Sequence, residues 1–457
     1  MDRRRLLMTA GAGLSTLAAT RFAQAKPAGR KPNFVVILCD DLGFGDVSLH
    51  GEGAIRTPNI AQLAREGVTL TDYYAPANLC TPSRAALLTG RYAIRSGLAY
   101  EVIMSQDDRG LPLTETTIAN ALKPDYATGL FGKWHLGHTP AHWPPTRHGF
   151  DTFFGIPYSH DMAPLALFES HAGSDEVAKS PVDYPTLQQQ FYAHAERFIE
   201  ANRDRPFFVE LALSAPHMPE HPGAGFDTKG PAGSYGAVVT EIDSIVGRLM
   251  AKLKALGLDQ DTLVIFTSDN GPWVEGSAGG LRDRKGQSGY DGGYRVPFVA
   301  RQPGVLPAGK RVPAIAMGID ILPTLCAMAG VSLPADLVID GKDITRVLVS
   351  GAPSPHEALV LFDNETPVAV RTQRWKYVAN AYYRGFRMPY ELFGYGQLYD
   401  LQSDPAENYS VADAHPEVAA SLKAVLDKAR LEFAPLKHKD IPPAFKALRA
   451  MTEHMQD

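Results

Sequence analysis

Four side chains with oxygen donors directly follow two apolar runs of the sequence. Asp40 and Asp41 end one run, and Asp269 and Asn270 follow another. If the two runs lie side by side, three carboxylates repel one another unless a cation neutralises them or their pKa values rise. Oxygen donors that include an amide suit calcium or magnesium better than zinc, which prefers His and Cys. The pattern favours a divalent metal site, although acidic residues after strands also serve as N-caps of helices.

Cys80 opens a segment that predicts a short helix. Thr81 is a good N-cap, Pro82 a good first helical residue and Gly90 a good terminator. The free N–H groups at the start of such a helix, and its positive dipole end, would face an anion near residue 80. Arg84 lies one turn further on the same face, within reach of residue 80 or an oxyanion. The pattern favours an anion site around a reactive group, with a cysteine that only packs as the open alternative.

The apolar runs around these residues predict the elements that position them. Three runs without alternation are typical of strands covered on both faces, at residues 34–39, 206–213 and 263–266. Helical patterns lie between them, at residues 60–66, 187–202 and 238–256. This order predicts an α/β fold with a large mixed, mostly parallel sheet sandwiched by helices. In such sheets, ligands bind beyond the carboxyl ends of the strands, where the polar clusters fall.

The sequence changes character after about residue 350, where alternating segments predict antiparallel strands. Residues 416–433 have helical spacing, with an apolar face that comprises Val418, Leu422, Val425, Leu426 and Ala429. We expect this helix to pack on the antiparallel sheet. We therefore expect a catalytic domain over residues 26–350 and a smaller C-terminal α+β subdomain over residues 351–457.

The N-terminus has the features of an export signal. Arginines at positions 3–5 precede an apolar stretch, and residues 22–25 have the small-x-small pattern of a signal-peptidase site. The stretch is shorter than the roughly 20 residues that span a bilayer. We expect residues 1–25 to be a signal peptide for the twin-arginine export machinery. The mature chain would then have no membrane span and would be periplasmic or secreted.

Composition excludes several classes of protein. The 457 residues include 45 Lys and Arg against 50 Asp and Glu, so the chain lacks the basic excess expected of nucleic-acid binding. A hydrophobic content of 45% excludes disorder as the main state. The three cysteines, Cys39, Cys80 and Cys326, are too few for a disulfide framework. We expect Cys39 and Cys326, together with Trp134, to pack in the core.

A set of motifs runs from about residue 32 to residue 408. Cys80-Thr81-Pro82-Ser83-Arg84 precedes Leu88-Thr89-Gly90-Arg91, and further elements lie at residues 40–46, 57–60, 132–137, 216–219, 268–272 and 398–405. Together they resemble the type I sulfatases, and within them the arylsulfatase A and N-acetylgalactosamine-6-sulfatase group. The resemblance implies the alkaline-phosphatase superfamily fold. It also implies that a separate formylglycine-generating enzyme oxidises Cys80 to Cα-formylglycine.

The resemblance implies a metal-assisted reaction at residue 80. Asp40, Asp41, Asp269 and Asn270 would hold Ca²⁺, with Mg²⁺ as the alternative, and residue 80 would contact the ion. The hydrated aldehyde would attack sulfur through one hydroxyl and form a covalent sulfoenzyme. The second hydroxyl would then lose its proton and expel sulfate.

The resemblance also assigns roles to the basic residues. His135 would act as the base for elimination, and His217 would act as the acid for the departing oxygen. Lys285 would bind the sulfate together with His217. Lys133 and Arg84 would neutralise charge around the diol and the sulfate.

The segment that carries Lys285 departs from the family pattern. Relatives have Lys-Gly-x-x-aromatic-acidic-Gly-Gly, whereas this chain has one extra residue before Tyr290. Arg282 and Arg284 are therefore alternative sources of positive charge at this position.

These features predict hydrolysis of aryl or carbohydrate sulfate monoesters. One alternative is a phosphodiesterase or phosphonate monoester hydrolase of the same superfamily. Another is a non-catalytic protein that binds sulfated glycans, although the presence of Cys80, Arg84, His135 and all four metal ligands argues against it.

Overall fold

The computed structural model describes residues 30–438, apart from residues 50, 52, 172, 173, 180, 334, 384 and 385. Its strands are β1 (Asn33–Asp40), β2 (Val68–Leu70), β3 (Tyr73–Tyr74), β4 (Ala127–Lys133), β5 (Thr152–Ile156), β6 (Leu167–His171), β7 (Ser174–Lys179), β8 (Phe207–Pro216), β9 (Thr262–Ser268), β10 (Phe298–Arg301), β11 (Lys310–Val312), β12 (Ala316–Met317), β13 (Leu359–Asp363), β14 (Thr366–Arg371), β15 (Trp375–Val378), β16 (Asn380–Tyr383), β17 (Phe386–Pro389) and β18 (Gln397–Asp400). Its α-helices are α1 (Pro58–Arg65), α2 (Cys80–Thr89), α3 (Ile118–Leu122), α4 (Leu187–Ala201), α5 (Gly233–Ala255), α6 (Asp291–Tyr294), α7 (Ile321–Ala329), α8 (Thr345–Ser350) and α9 (Pro416–Phe433).

Ten strands form one mixed sheet in the order β11-β2-β10-β9-β1-β8-β4-β5-β6-β7. The five strands from β9 to β5 run parallel to one another, whereas β10, β6 and β7 pair antiparallel with their neighbours. Every residue of β1, β8 and β9 is buried, as expected of strands covered on both faces. The predicted mixed, mostly parallel sheet is therefore confirmed.

Successive residues of β1 point into two separate apolar layers. Val36 and Leu38 belong to the layer that contains residues of α2, α3 and α7. Val35 and Cys39 belong to the layer that contains residues of α1, α4 and α5. Helices thus cover both faces of the sheet, and Cys326 is buried in the first layer, as predicted.

A second, antiparallel sheet lies in the C-terminal part of the chain, in the order β13-β14-β15-β18. Helix α9 packs on it, because Leu422 and Leu426 share an apolar cluster with Val370 and Leu398. Val425 was expected on the same face but is 37% exposed. Leu422 and Leu426 take the positions that face the sheet, and Val425, about 100° from Leu426 around the helix, lies at the exposed edge of that face.

The expected signal peptide, residues 1–25, lies outside the described residues. Within the part of the chain that the structure describes, no helix combines the length and the apolar character needed to cross a membrane.

Candidate active site

Strand pairing brings the four predicted oxygen ligands together. β1 and β9 are parallel neighbours, so the residues at their carboxyl ends lie side by side. The Asp41 N–H donates to Asp269 Oδ1 at 3.2 Å, and Asn270 Nδ2 donates to Asp41 Oδ1 at 2.8 Å. Asp40 and these three residues are all buried. The next helices along the chain from each pair, α1 and α6, begin many residues later, so neither pair is an N-cap.

Cys80 lies against this acidic cluster. Its Sγ is 3.2 Å from Asp40 Oδ1 and 3.8 Å from Asp41 Oδ1. Carboxylate oxygens of Asp40, Asp41 and Asp269 lie with the sulfur within 4.8 Å of one another. Burial, followed by the charge of Asp40, raises the pKa of the Cys80 thiol well above its ordinary value. The unmodified side chain is therefore a protonated thiol and a weak nucleophile.

Helix α2 starts earlier than the sequence predicts. It begins at Cys80 itself, and Thr81 is not its N-cap. The Thr81 hydroxyl instead donates to the His135 carbonyl at 3.0 Å and accepts the Ile103 N–H at 3.1 Å. Tertiary hydrogen bonds thus use the hydroxyl that was expected to cap the helix. Residue 80 consequently lies within the first helical turn, at the positive end of the helix dipole.

Three buried cations surround the acidic cluster, and each contacts a different carboxylate. The closest contacts are Lys133 Nζ to Asp40 Oδ2 at 2.6 Å, Arg84 Nε to Asp269 Oδ2 at 2.9 Å, and Lys285 Nζ to Asp41 Oδ2 at 2.7 Å. Arg84 also donates to the Lys133 carbonyl at 3.0 Å, and its Nη2 lies 3.6 Å from Asp40. The guanidinium therefore ties the strand that carries Lys133 to the acidic cluster.

Burial and charge act in opposite directions on the carboxylates. Burial alone would raise the pKa of Asp40, but the charge of Lys133 and the other nearby cations outweighs it and holds that pKa well below its usual range. For Asp269, burial and the charge of Asp40 raise the pKa to about 7, although Arg84 lowers it. The protein cations thus neutralise the negative charge of Asp40 more fully than that of Asp269.

His135 follows β4 and is buried beside the cations. Its Nε2 lies 2.9 Å from the Ile103 carbonyl, which only accepts, so Nε2 carries the proton. Its Nδ1 is then an unprotonated acceptor, and it has no hydrogen-bond partner among the described residues. Burial, followed by the charges of Lys133 and Arg84, lowers the pKa of His135 well below its usual value. The ring is therefore neutral and presents a free lone pair.

His217 directly follows β8 and is less buried than the rest of the site. Its Nδ1 lies 2.6 Å from the Met218 carbonyl, which requires Nδ1 to donate. Its Nε2 lies 3.7 Å from Asp41 Oδ2. The ring thus presents Nε2, the nitrogen free to exchange a proton with a ligand, toward the acidic cluster.

Lys285 reaches the site despite the extra residue in its segment. Gly289 lies against the C-terminal sheet, where an added Cβ would be 2.9 Å from Ala369 Cβ. The lengthened part of the segment therefore packs on that sheet, while Lys285 contacts Asp41. Arg282 and Arg284 donate to backbone carbonyls elsewhere, at 2.9 Å and 3.0 Å, and neither replaces Lys285.

The donor set fits a hard divalent cation. Asn270 Oδ1 is buried and has no hydrogen-bond partner among the described residues, while its Nδ2 donates to Asp41. An amide oxygen left free beside three carboxylates is a donor that calcium or magnesium accepts. The three protein cations balance the three carboxylates, so a bound dication would leave a net charge of about +2. Such a site attracts an anionic ester.

Two residues that the sequence did not single out lie at the same edge of the sheet, in the loop after β5. The His160 ring centroid is 5.6 Å from that of His217, and its Nε2 lies 3.0 Å from the Pro219 carbonyl. The Ser159 hydroxyl is buried without a hydrogen-bond partner among the described residues. The available signal was their position after a strand, but β5 was not recognised as part of the sheet.

Comparisons with known proteins agree with this geometry. The family described as "Sulfatase" matches residues 32–331, and the family described as "N-sulphoglucosamine sulphohydrolase, C-terminal" matches residues 284–432. The chain is 38% identical to arylsulfatase A of Homo sapiens, over 93% of this chain and 92% of that protein. It is 36% identical to the steryl-sulfatase of Mus musculus, over 79% of this chain and 72% of that protein.

A solved structure extends the similarity to the fold. The PsFucS1 sulfatase from Pseudoalteromonas sp. matches with a TM-score of 0.81 and 29% identity, covering 90% of this chain and 92% of that chain. The alkaline-phosphatase-like fold and the expected resemblance are therefore confirmed. The first family match alone spans more than half of the chain. The chain belongs to the sulfatase family and is a sulfuric ester hydrolase.

Proposed function

We propose that the protein hydrolyses aryl or carbohydrate sulfate monoesters with residue 80 in the formylglycine form. The observation that carries this proposal is the position of Cys80, 3.2 Å from Asp40 at the positive end of α2. Three carboxylates and three buried cations converge on that point. A carbonyl made there from the Cys80 side chain and hydrated by water offers two hydroxyls on one carbon.

The two hydroxyls divide the reaction into two steps. One hydroxyl loses its proton to solvent and its oxygen bonds to sulfur, while the sulfur–oxygen bond to the alcohol breaks and the alcohol leaves with a proton supplied by the protein. The other hydroxyl then loses its proton, the carbonyl forms again and the bond between carbon and the sulfate oxygen breaks. Water rehydrates the carbonyl, and inorganic sulfate is released.

The two histidines suit opposite proton transfers. His217 presents Nε2 toward the acidic cluster, and we infer that this nitrogen gives the proton to the departing alcohol oxygen. His135 has Nδ1 unprotonated and without a partner, and we infer that it takes the proton of the second hydroxyl. The neutral ring at His135 is the state that a base requires.

Fixed positive charge supports the anionic transition state. Arg84, Lys133 and Lys285 are buried, so their charges act in a medium where they are stronger than in water. Asp40, Asp41, Asp269 and Asn270 would hold Ca²⁺, with Mg²⁺ as the alternative. A bound dication supplies charge neutralisation and lowers the pKa of a nearby hydroxyl. The names of the relatives, arylsulfatase and steryl-sulfatase, support an alcohol part with ring character.

The choice between sulfur and phosphorus esters can be tested directly. The full chain, coexpressed with a formylglycine-generating enzyme, is assayed with an aryl sulfate and the matching aryl phosphate and phosphonate monoester, with Cys80→Ala as the inactive control. We expect turnover of the sulfate to exceed that of the phosphorus esters. Faster turnover of a phosphorus ester would overturn the proposal. Binding of a sulfated sugar without turnover by converted protein would instead support a binding role.

We also propose that residues 1–25 direct export through the twin-arginine machinery to a periplasmic or secreted location. Cys80 is 1% exposed, so a converting enzyme has no access to it in the folded protein. Conversion would therefore precede folding and export, since the twin-arginine route carries folded proteins. Peptide mass spectrometry of the cytoplasmic precursor should detect formylglycine at residue 80. A precursor with only thiol, converted after export, would contradict this order.

We further propose that residues 26–350 form the catalytic domain and residues 351–457 a C-terminal subdomain. The change from the mixed sheet to the antiparallel sheet supports this division.

A further inference from the structure

A buried ion cluster lies outside the acidic site and joins the C-terminal sheet to the segment that carries Lys285. Lys376 of β15 is fully buried, and its Nζ is 2.7 Å from Asp291 Oδ1 and 2.8 Å from Glu407 Oε1. The Asp291 N–H donates to Glu407 Oε2 at 2.7 Å, and Asp291 also accepts the Tyr74 hydroxyl at 3.0 Å. We call Lys376, Asp291 and Glu407 the Lys376 cluster. The proposed chemistry at residue 80 uses none of the three.

The Lys285 segment, residues 282–293, contacts both sides of the active site. Its backbone hydrogen bonds at 3.0 Å are Lys285 N to Pro272 O, Gly286 N to Asn78 O, and Gly271 N to Gly293 O. Asn78 precedes Cys80 by two residues, and Gly271 follows the metal ligand Asn270. A shift of this segment would therefore move the Lys285 ammonium relative to Asp41 and also disturb the metal-ligand loop.

The segment needs an anchor near its end. Gly286 has φ +69°, and Gly289 adds a second residue without a side chain between Lys285 and Asp291. Glycines leave the backbone more conformations than other residues do, so local preference alone does not fix the position of Lys285. Two successive buried residues beyond this stretch reach the C-terminal sheet: the Tyr290 hydroxyl donates to Gln397 of β18, and Asp291 accepts the Lys376 ammonium of β15.

Stability alone is a poor explanation for the Lys376 cluster. Removing charges from water is costly, and buried ion pairs are often no more stabilising than apolar side chains of similar size. The Lys376 cluster instead fixes the relative positions of three chain segments, because one ammonium contacts two carboxylates that lie on different segments. We propose that Lys376, Asp291 and Glu407 are positioning residues that fix the Lys285 segment so that the Lys285 ammonium can hold the substrate sulfate. This inference rests on the proposed function of Lys285.

A double-mutant cycle tests whether Lys376 acts through Lys285. Lys376→Met, Lys285→Met and the double variant are made in the full-length, converted, metal-replete enzyme. For each, kcat and KM for an aryl sulfate are measured, together with the affinity for inorganic sulfate by calorimetry. We expect Lys376→Met to weaken sulfate binding and kcat/KM by about ten-fold or more. In the Lys285→Met background the same change should have little further effect, because coupled residues are not additive.

Two further variants separate positioning from general loss of stability. Arg301→Met removes another buried cation, which is 2.8 Å from both Glu66 and Asp259. Arg301 pairs with Val264, near the start of β9 and away from the site. It should lower stability without changing sulfate affinity. Glu407→Gln keeps an acceptor for the Asp291 N–H but loses a charge, and it should give a smaller loss in the same direction as Lys376→Met.

Different outcomes would overturn the positioning role of the Lys376 cluster and the proposed function of the protein. Additive losses in the cycle, unchanged sulfate affinity in Lys376→Met, or an equal loss in Arg301→Met would overturn the positioning role. If Lys376→Met does not fold, Glu407→Gln takes its place in the cycle and decides the question. A folded, converted parent that neither turns over sulfate esters nor binds sulfate would overturn the proposed function itself.

Discussion

Two site residues hold backbone conformations that non-glycine residues rarely adopt. Asp41 has φ +66° and His135 has φ +60°. Conformations of this kind cost on the order of 1–3 kcal/mol each and persist only where surrounding contacts enforce them. Asn270 and Lys285 hold the Asp41 side chain, and the Ile103 carbonyl holds the His135 ring. The same contacts that orient the reactive groups therefore compensate the backbone strain.

Glu210 is a residue of a different kind, because it is buried without being fully paired. It lies on the central strand β8, and its Oε2 has no hydrogen-bond partner among the described residues. Burial raises its pKa to about 7, although the charge of Arg84 lowers it. The folded protein therefore holds a proton on Glu210 at pH values where the unfolded chain has lost it.

We expect Glu210 to make the protein less stable as the pH rises. The unfolded carboxyl ionises near its usual pKa of about 4.3, and the folded one near 7, so unfolding releases a proton between these values. From pH 5 to pH 8 the wild type should lose on the order of 2–3 kcal/mol more than Glu210→Gln, which cannot titrate. Urea unfolding of both proteins at the two pH values measures this difference. Equal losses would contradict the assignment.

At the scale of elements, a glycine in strand β4 is needed to position two residues of the candidate site. Gly132 has φ +128°, directly before Lys133 and three residues before His135. A Cβ at this position would lie 1.8 Å from the Ala212 carbonyl oxygen of the neighbouring strand β8. Close approach of the two strands therefore requires glycine here.

We expect Gly132→Ala to destabilise the fold by several kcal/mol, because neither the backbone conformation nor the space admits a methyl group. Activity should fall with it, since Lys133 and His135 follow directly. Gly257→Ala is the matched control: Gly257 has φ +70°, but nothing lies within 4 Å of an added Cβ. That variant should lose only about 1 kcal/mol. Urea unfolding compares the two, and similar losses would show that the contact with Ala212 is unimportant.

Sequence patterns predicted some of these elements and missed others. Runs of β-branched and aromatic residues identified β1, β8 and β9, and strong helical periodicity identified α4, α5 and α9. Strand β4 was not recognised, because Gly129 and Gly132 interrupt its apolar character. The role of Thr81 and the contact between His160 and His217 depend on tertiary neighbours, which local patterns do not encode. The convergence of Asp40, Asp41, Asp269 and Asn270 was predictable because parallel strands bring their carboxyl ends to one edge of the sheet.

At the scale of the whole molecule, distant segments build the site. Asp41 and Lys285, which are 244 residues apart, meet at 2.7 Å, and Cys80 at the start of α2 contacts Asp40 at the end of β1. The C-terminal sheet adds the Lys376 cluster behind the Lys285 segment. Site geometry and global folding are therefore coupled, and a ligand that joins these segments should stabilise the entire fold.

If the proposed site holds a divalent ion, its removal should lower both turnover and stability. An ion present at 100 times its Kd adds about 2.7 kcal/mol to the free energy of unfolding. Melting temperature and aryl sulfate turnover are measured with a chelator and after titration with Ca²⁺ or Mg²⁺. Asp269→Asn should lose most of the ion-dependent gain. The proposed metal site would be contradicted if neither the melting temperature nor the turnover of the parent protein changed with chelator or added ions.

We propose that catalysis depends on a carbonyl at residue 80, and one paired measurement decides whether it does. Preparations made with increasing amounts of formylglycine-generating enzyme are assayed for aryl sulfate turnover, and the peptide containing residue 80 is analysed by mass spectrometry. Turnover should rise in proportion to the fraction of the peptide that carries formylglycine. In that form, one oxygen atom replaces the sulfur atom and two hydrogen atoms of the Cys80 side chain. Full turnover by protein that retains the Cys80 thiol would show that the carbonyl is not required.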